Sequence, residues 1–200
     1  MKRQNNVIAW LILLILLNIA SSGVIYWQHS RKLETLSAYT LALRIDKYLL
    51  ECRRQEKNFF IRNSMEAIQL FTVNHDSVKA LLSRLMNMEL PAEAMNGGIS
   101  LNGLLDDYSR SFRAICISTR DHPNGEGRIS IMHRCTETAR KCHLQAVAIV
   151  AAMDQHFRAV HKTTGMVTVI LMIAAPILSI MIAVLIFREV VLVRLSLPSR

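Results

Sequence analysis

The stretch VIAWLILLILLNIASSGVIYW, residues 7–27, holds no charged side chain, and neither does GMVTVILMIAAPILSIMIAVLIF, residues 165–187. At a rise of about 1.5 Å per residue, either one crosses a hydrocarbon core of about 30 Å. The chain of 200 residues is 52% apolar but only 6% aromatic, with a mean hydropathy of +0.26. The apolar surplus is therefore aliphatic, and it sits in these two blocks. That excludes a soluble cytosolic enzyme. A polytopic transporter is excluded as well, because two helices cannot line a midplane site unless they oligomerise.

Residues 1–6 carry Lys2 and Arg3, the short basic start of a signal peptide, and Ala20, Ser21, Ser22 and Gly23 are small enough for cleavage. The apolar run is longer than the 7–15 residues of a signal peptide, and a second span follows. The first block reads as an uncleaved anchor. The net charge of +9 invites a nucleic-acid partner, but topology argues against one. Residues 28–164 hold 19 basic and 14 acidic residues, so much of the surplus lies in the short flanks: Lys2, Arg3, Arg188, Arg194 and Arg200 against Glu189. Basic residues on short flanks mark the cytoplasmic side, whereas a long intervening segment does not set orientation. Both termini are expected in the cytoplasm, and residues 28–164 outside it.

Residues 35–74 contain no Gly or Pro and are rich in helix formers, so they read as one helix continuing from the first span. Asn74, His75, Asp76 and Ser77 read as its break and as the cap of a helix over 77–89. Pro91 and the pair Gly97 and Gly98 punctuate a loop. A third helix over 101–118 carries Leu104, Leu105, Tyr108, Phe112, Ile115 and Cys116 at steps of three and four. Residues 121–127 form the clearest turn, and 128–162 run without Gly or Pro into the second span, where Pro176 predicts a kink. The class is all-α: an antiparallel four-helix bundle flanked by two transmembrane helices. Length gives one warning. The descent from 127 to the membrane is about 54 Å of helix, and a matching rise from Trp27 ends near residue 63, about ten residues before the predicted break.

The most unusual segment is Cys52-Arg53-Arg54-Gln55-Glu56-Lys57-Asn58-Phe59-Phe60-Ile61-Arg62. Arg53, Glu56, Lys57 and Phe60 share a helix face by their spacing, close to the apolar seam, where charge is costly unless it is paired or bound. This run resembles the Arg-Arg-x-Glu-Lys-[Asp/Asn]-Phe signature of helical-bundle sensor domains, found in methyl-accepting chemotaxis receptors, the helical bimodular type included, and in membrane histidine kinases. Tyr108-x3-Phe112, followed by Gly125, Gly127 and Arg128, resembles the stretch that opens the last helix of those domains. Residues 28–164 match one four-helix module rather than two. Residues 188–200, with Arg194, Leu195 and Pro198, resemble the start of a HAMP linker. The chain is then either the N-terminal part of a receptor or a truncated relative.

The resemblance implies a transmembrane sensor of the bacterial inner membrane, with residues 28–164 periplasmic. It implies a small organic acid or amino acid as ligand, and Arg53, Arg54, Lys57 and Arg62 as candidates to hold its carboxylate, because a guanidinium grips a carboxylate bidentately. The competing expectation is an interhelical ion-pair network of these cations with Glu51, Glu56, Asp106, Asp107 or Glu137. A homodimer is expected, since pairing would shelter the charged stripe. The other readings are a histidine kinase's N-terminal part and a membrane-anchored scaffold or redox protein.

Cys52, Cys116, Cys135 and Cys142 all fall in residues 28–164, where either disulfides or free buried thiols are expected. Cys135 and Cys142 lie seven residues apart on one helix and cannot pair with each other; Cys52 with Cys142 or Cys116 with Cys135 are open cross-helix pairs. Cys142-His143 lacks the Cys-x-x-Cys-His spacing of c-type haem attachment. His133 and Cys135 point away from each other, so no metal site is expected, and no cofactor. His29, His75, His122, His156 and His161 read as solvated residues at loops or helix ends. No nucleophile elbow, His-Glu-x-x-His pair or P-loop occurs, so no enzyme activity is expected.

Overall fold

A computed structural model describes residues 2–121 and 127–195 of the chain. Four helices account for nearly all of them: α1 (Lys2–Arg62), α2 (Met65–Met86), α3 (Ala92–Asp121) and α4 (Gly127–Leu195). The fold is all-α, as the periodicity predicts. The predicted turn over 121–127 falls largely outside the described residues, as do residues 196–200 of the HAMP-like segment. Pro176 lies inside α4.

The chain forms two compact units. One comprises Met1–Leu33 with Ala159–Arg200, the other Glu34–Arg158. In the first, the ends of α1 and α4 expose Ile8, Leu16, Ile19, Ile173, Ile180 and Phe187, among other large apolar residues. None of the most apolar window of α1, and only 6% of that of α4, is buried. A core helix of a soluble protein would show the reverse. These two helices are long and apolar enough to cross a membrane. Polar side chains within them bond back to their own helix, as lipid requires: Asn18 donates to the Leu14 carbonyl and Ser21 to the Leu17 carbonyl. A polar contact joins the two helices within this unit. The Thr168 hydroxyl is shared between the Thr164 carbonyl at 2.8 Å and Oε1 of the buried Gln28 at 3.3 Å.

The second unit is an antiparallel bundle. Tyr39 stacks on Phe157 and Asp46 meets His143, so α1 and α4 run in opposite directions. Lys79 reaches Asp106 at 2.6 Å, and Phe71 stacks on Phe112, which makes α2 antiparallel to α3. The core is a continuous apolar seam, including Ala42, Ile45, Leu49, Phe59, Leu82, Leu101, Leu105, Ile115, Ala146, Ile149 and Met153.

The first break is corrected. It falls at Asn63 and Ser64, not at 74–77. Asn63 takes φ 49°, the left-handed conformation that stops a helix and that Asn tolerates better than most residues. Ser64 is extended and starts α2. This is where the matched-rise arithmetic put the turn. The capping residues at 74–77 are satisfied inside the helix: the Ser77 hydroxyl donates to the Val73 carbonyl. His75, expected in solvent, is buried, with Nε2 3.1 Å from the Leu105 carbonyl.

Gly97 and Gly98, expected in a loop, lie inside α3. Their role is close packing. A Cβ on Gly97 would meet Ile149 Cγ1 at 2.8 Å, and one on Gly98 would meet Met86 Cγ at 3.2 Å. Without side chains there, α3 approaches both α4 and α2.

Candidate functional site

The charged run of α1 is not a solvated strip. Its Glu56 is 2% exposed, inside the bundle. Glu56 Oε2 accepts a hydrogen bond from the Tyr108 hydroxyl of α3 at 2.6 Å, and Oε1 accepts one from the Thr136 hydroxyl of α4 at 3.1 Å. The surroundings are aromatic. Phe71 stacks on Phe112 at 3.9 Å, Phe59 meets Phe112 edge-on at 5.6 Å, and Phe71 meets Tyr108 edge-on at 5.1 Å. One layer thus joins all four helices around a single carboxyl.

Burial raises the Glu56 pKa above the ordinary carboxylate value. The Tyr108 and Thr136 hydrogen bonds, then the charges of Arg53 and Lys57, oppose that rise without cancelling it. The Tyr108 phenol is pushed up too, first by burial and then by the Glu56 charge, so it stays a donor at any physiological pH.

The four predicted cations fan around α1 instead of converging. Residues at i, i+1, i+4 and i+9 spread over half a turn at 100° per residue. Arg53 is half-buried, while Lys57, Arg54 and Arg62 are exposed. Arg53 and Lys57 act electrostatically on Glu56; Arg54 and Arg62 stand outside this layer. Arg54 pairs with Glu51 at 3.2 Å on its own helix. Of the other acids, Asp106 pairs with Lys79, Asp107 with Arg110 and Glu137 with Arg140. The ion pairs that form are mostly local along one helix, not a network centred on 53–62.

All four cysteines are free thiols; Cys52, Cys135 and Cys142 are buried and Cys116 is half-buried. Burial pushes the Cys52 and Cys142 thiols up to about 12 and Cys116 to about 11, and raises Cys135 as well. Cys52, Cys135 and Cys142 are thereby small apolar core residues, while Cys116 keeps partial access to solvent. Beside Cys142, His143 Nδ1 lies 3.1 Å from Asp46 Oδ1. Among the described residues no group of three His, Cys, Asp or Glu side chains is placed to hold a metal.

Two features escaped the sequence reading. The first is the Glu56–Tyr108–Thr136 layer. Its signal was present: a Glu on the seam and a Tyr on a facing seam. The second is a groove of about 400 Å³ between α3 and α4, lined by Leu104, Asp107, His133, Arg134, Glu137 and Lys141. No signal short of the packing of α3 on α4 reveals it. No known protein family, curated protein or solved structure matches the chain.

Proposed function

We propose that this chain is the sensory part of a dimeric transmembrane receptor of the bacterial inner membrane, of the chemotaxis-receptor class. Both termini lie in the cytoplasm, and residues 28–164 form the periplasmic sensor. The ligand is a small organic acid or amino acid, and Arg53, Arg54, Lys57 and Arg62 supply the positive field that attracts its carboxylate. The observation that carries this reading is the layer around Glu56. The two segments that resemble sensor domains are well separated in sequence, yet Glu56 of one bonds Tyr108 of the other, and Phe59 packs on Phe112. α1 and α4 supply a second support. Each runs without interruption from an apolar end into the bundle, so a shift at the layer has a continuous path along the chain.

The test is a thermal-shift screen of the detergent-solubilised full chain against organic acids and amino acids. A compound that raises the midpoint in the wild type, and loses that effect in Arg53→Ala and Lys57→Ala, supports the proposal. A library in which no acid moves the midpoint at millimolar concentration refutes the sensory reading.

A further inference from the structure

The charge of this protein is concentrated in its membrane unit. Met1–Leu33 with Ala159–Arg200 holds eight Lys or Arg residues against Glu189 alone, whereas Glu34–Arg158 is nearly balanced, with 16 basic and 14 acidic residues. Cytoplasmic flanks account for only part of that surplus. At the other end of the spans, where the chain leaves the membrane unit for the bundle, Arg31 and Lys32 on α1 and Lys162 on α4 form a second basic band, joined by His29 and His161.

The band has a defined depth. Tyr26 and Trp27 are 77% and 57% exposed, the aromatic belt of a span that ends there. The Arg31 guanidinium lies over the Trp27 ring, 4.9 Å from its centroid. The contact between Gln28 and Thr168 fixes the antiparallel register of the two helices at this level. Lys32 stands one turn beyond Gln28 on the same face, and His161 two turns beyond Thr168. From Trp27 to Lys32 is about 7.5 Å of helix. That matches the roughly 5–8 Å of headgroup region left on each side when a core of about 30 Å sits in a bilayer of 40–45 Å.

We infer that this band binds the headgroup phosphate of an anionic phospholipid, held by Arg31, Lys32 and Lys162 in the leaflet next to the bundle. Trp27 serves the site twice: its ring seats in the interface, and its face orients the Arg31 guanidinium. The nearest acid along α1 is Glu34, so at this end Arg31, Lys32 and Lys162 outnumber the acids three to one. The inference rests on the membrane-spanning reading of the unit and on no sensory role.

The test uses the full chain in nondenaturing detergent, titrated with phosphatidylglycerol or with phosphatidylcholine of the same acyl chains, with bound lipid counted by native mass spectrometry. Each cation near a phosphate favours the anionic lipid by about fivefold. The first phosphatidylglycerol should therefore bind well over tenfold more tightly than phosphatidylcholine. The preference should fall by about fivefold in Lys162→Gln, whose exposed side chain lets the fold survive, and to near parity in the Arg31→Gln, Lys32→Gln, Lys162→Gln triple variant. Equal binding of the two lipids by the wild type overturns the inference. So does a preference that survives the triple variant and disappears in Arg188→Gln, which would place it at the opposite flank. Flotation of the chain with liposomes in a sucrose gradient separates the two failures: a chain that floats without lipid preference refutes the site alone, and one that stays at the bottom refutes the membrane span beneath it.

Discussion

Replacing Tyr108 with Phe removes one oxygen from the core and nothing else, so it isolates what the Glu56 layer contributes. The Tyr108 hydroxyl donates to Glu56 Oε2 at 2.6 Å in a site closed by Phe59, Phe71 and Phe112. Burial raises the Glu56 pKa, so the folded chain holds this proton to a higher pH than the unfolded chain does. Stability therefore falls as pH rises from the unfolded carboxyl value through the folded one. Below both values, Glu56 is neutral in both states and that penalty is absent. The Tyr108 bond opposes the penalty, because it favours the carboxylate. Above the folded pKa the bond is charge-assisted and contributes about 1.5–3 kcal/mol; to a neutral carboxyl it contributes about 0.5–1.5 kcal/mol. Tyr108→Phe should then cost roughly twice as much at a pH above the folded Glu56 value as at pH 4, where the carboxyl is neutral. For a bundle of this size the larger loss, with Glu56 ionised, corresponds to a midpoint drop of about 5–12 °C. Circular dichroism melts of the solubilised chain across that range supply the measurement, with Glu56→Gln as the second arm. In the Glu56→Gln background the Phe substitution should show a small loss that does not vary with pH. A loss in the wild-type background that stays the same from pH 4 through the alkaline limit of the folded state, or a pH-dependent one that persists in the Glu56→Gln background, would refute the assignment of Glu56 as the titrating group.

Other consequences are simpler to check. Gly103→Ala, with nothing within 4 Å of the new Cβ, should stabilise the bundle by about 0.5–1 kcal/mol through helix propensity, while Gly97→Ala, whose Cβ meets Ile149 Cγ1 at 2.8 Å, should cost about 1–3 kcal/mol; parallel melts of the two variants test the packing of α3 on α4. Asn63→Gly should be neutral or stabilising and Asn63→Ala should lose about 1 kcal/mol, since φ 49° penalises a Cβ; equal melting of the two would show that the α1–α2 turn is not left-handed. Under native conditions at pH 8 iodoacetamide should label Cys116 first and leave Cys52, Cys135 and Cys142 unreacted until denaturant is added, as read by peptide mass spectrometry.

What the sequence disclosed and what it hid divide along one line, the range of the interactions involved. The apolar runs at 7–27 and 165–187 and the seam of α3 are legible because hydrophobic periodicity is a local property of one helix. The break at Asn63 was hidden because Asn74–Ser77 gives the stronger capping signal, and residue type alone does not say which Asn adopts a left-handed conformation. The height of the opposing helix decided it, a tertiary constraint that pointed to residue 63 before any side chain was placed. Gly97 and Gly98 misled for the same reason. Two adjacent glycines signal a loop locally, but here they let α3 approach Ile149 and Met86, and that demand comes from partners more than 50 and about 12 residues away.

The charged decapeptide follows this rule most closely. Its composition marked it as unusual and its spacing brought Glu56 near the seam, so its importance was readable. Its chemistry was not. The four cations read as holders of a carboxylate, whereas the bundle already contains a carboxylate of its own, Glu56, in the place where such a group would be sought. The cations around it stay outside and act on that buried charge from a distance, Arg53 and Lys57 foremost. An acid arriving at Arg53 or Lys57 would weaken their support for the Glu56 carboxylate and raise its pKa further. Binding at the surface of α1 would then be felt as a changed proton affinity in the layer that ties α1 to α3 and α4. If that coupling holds, an acid that shifts the melting midpoint should shift it less in Glu56→Gln, even though residue 56 lies out of the ligand's reach.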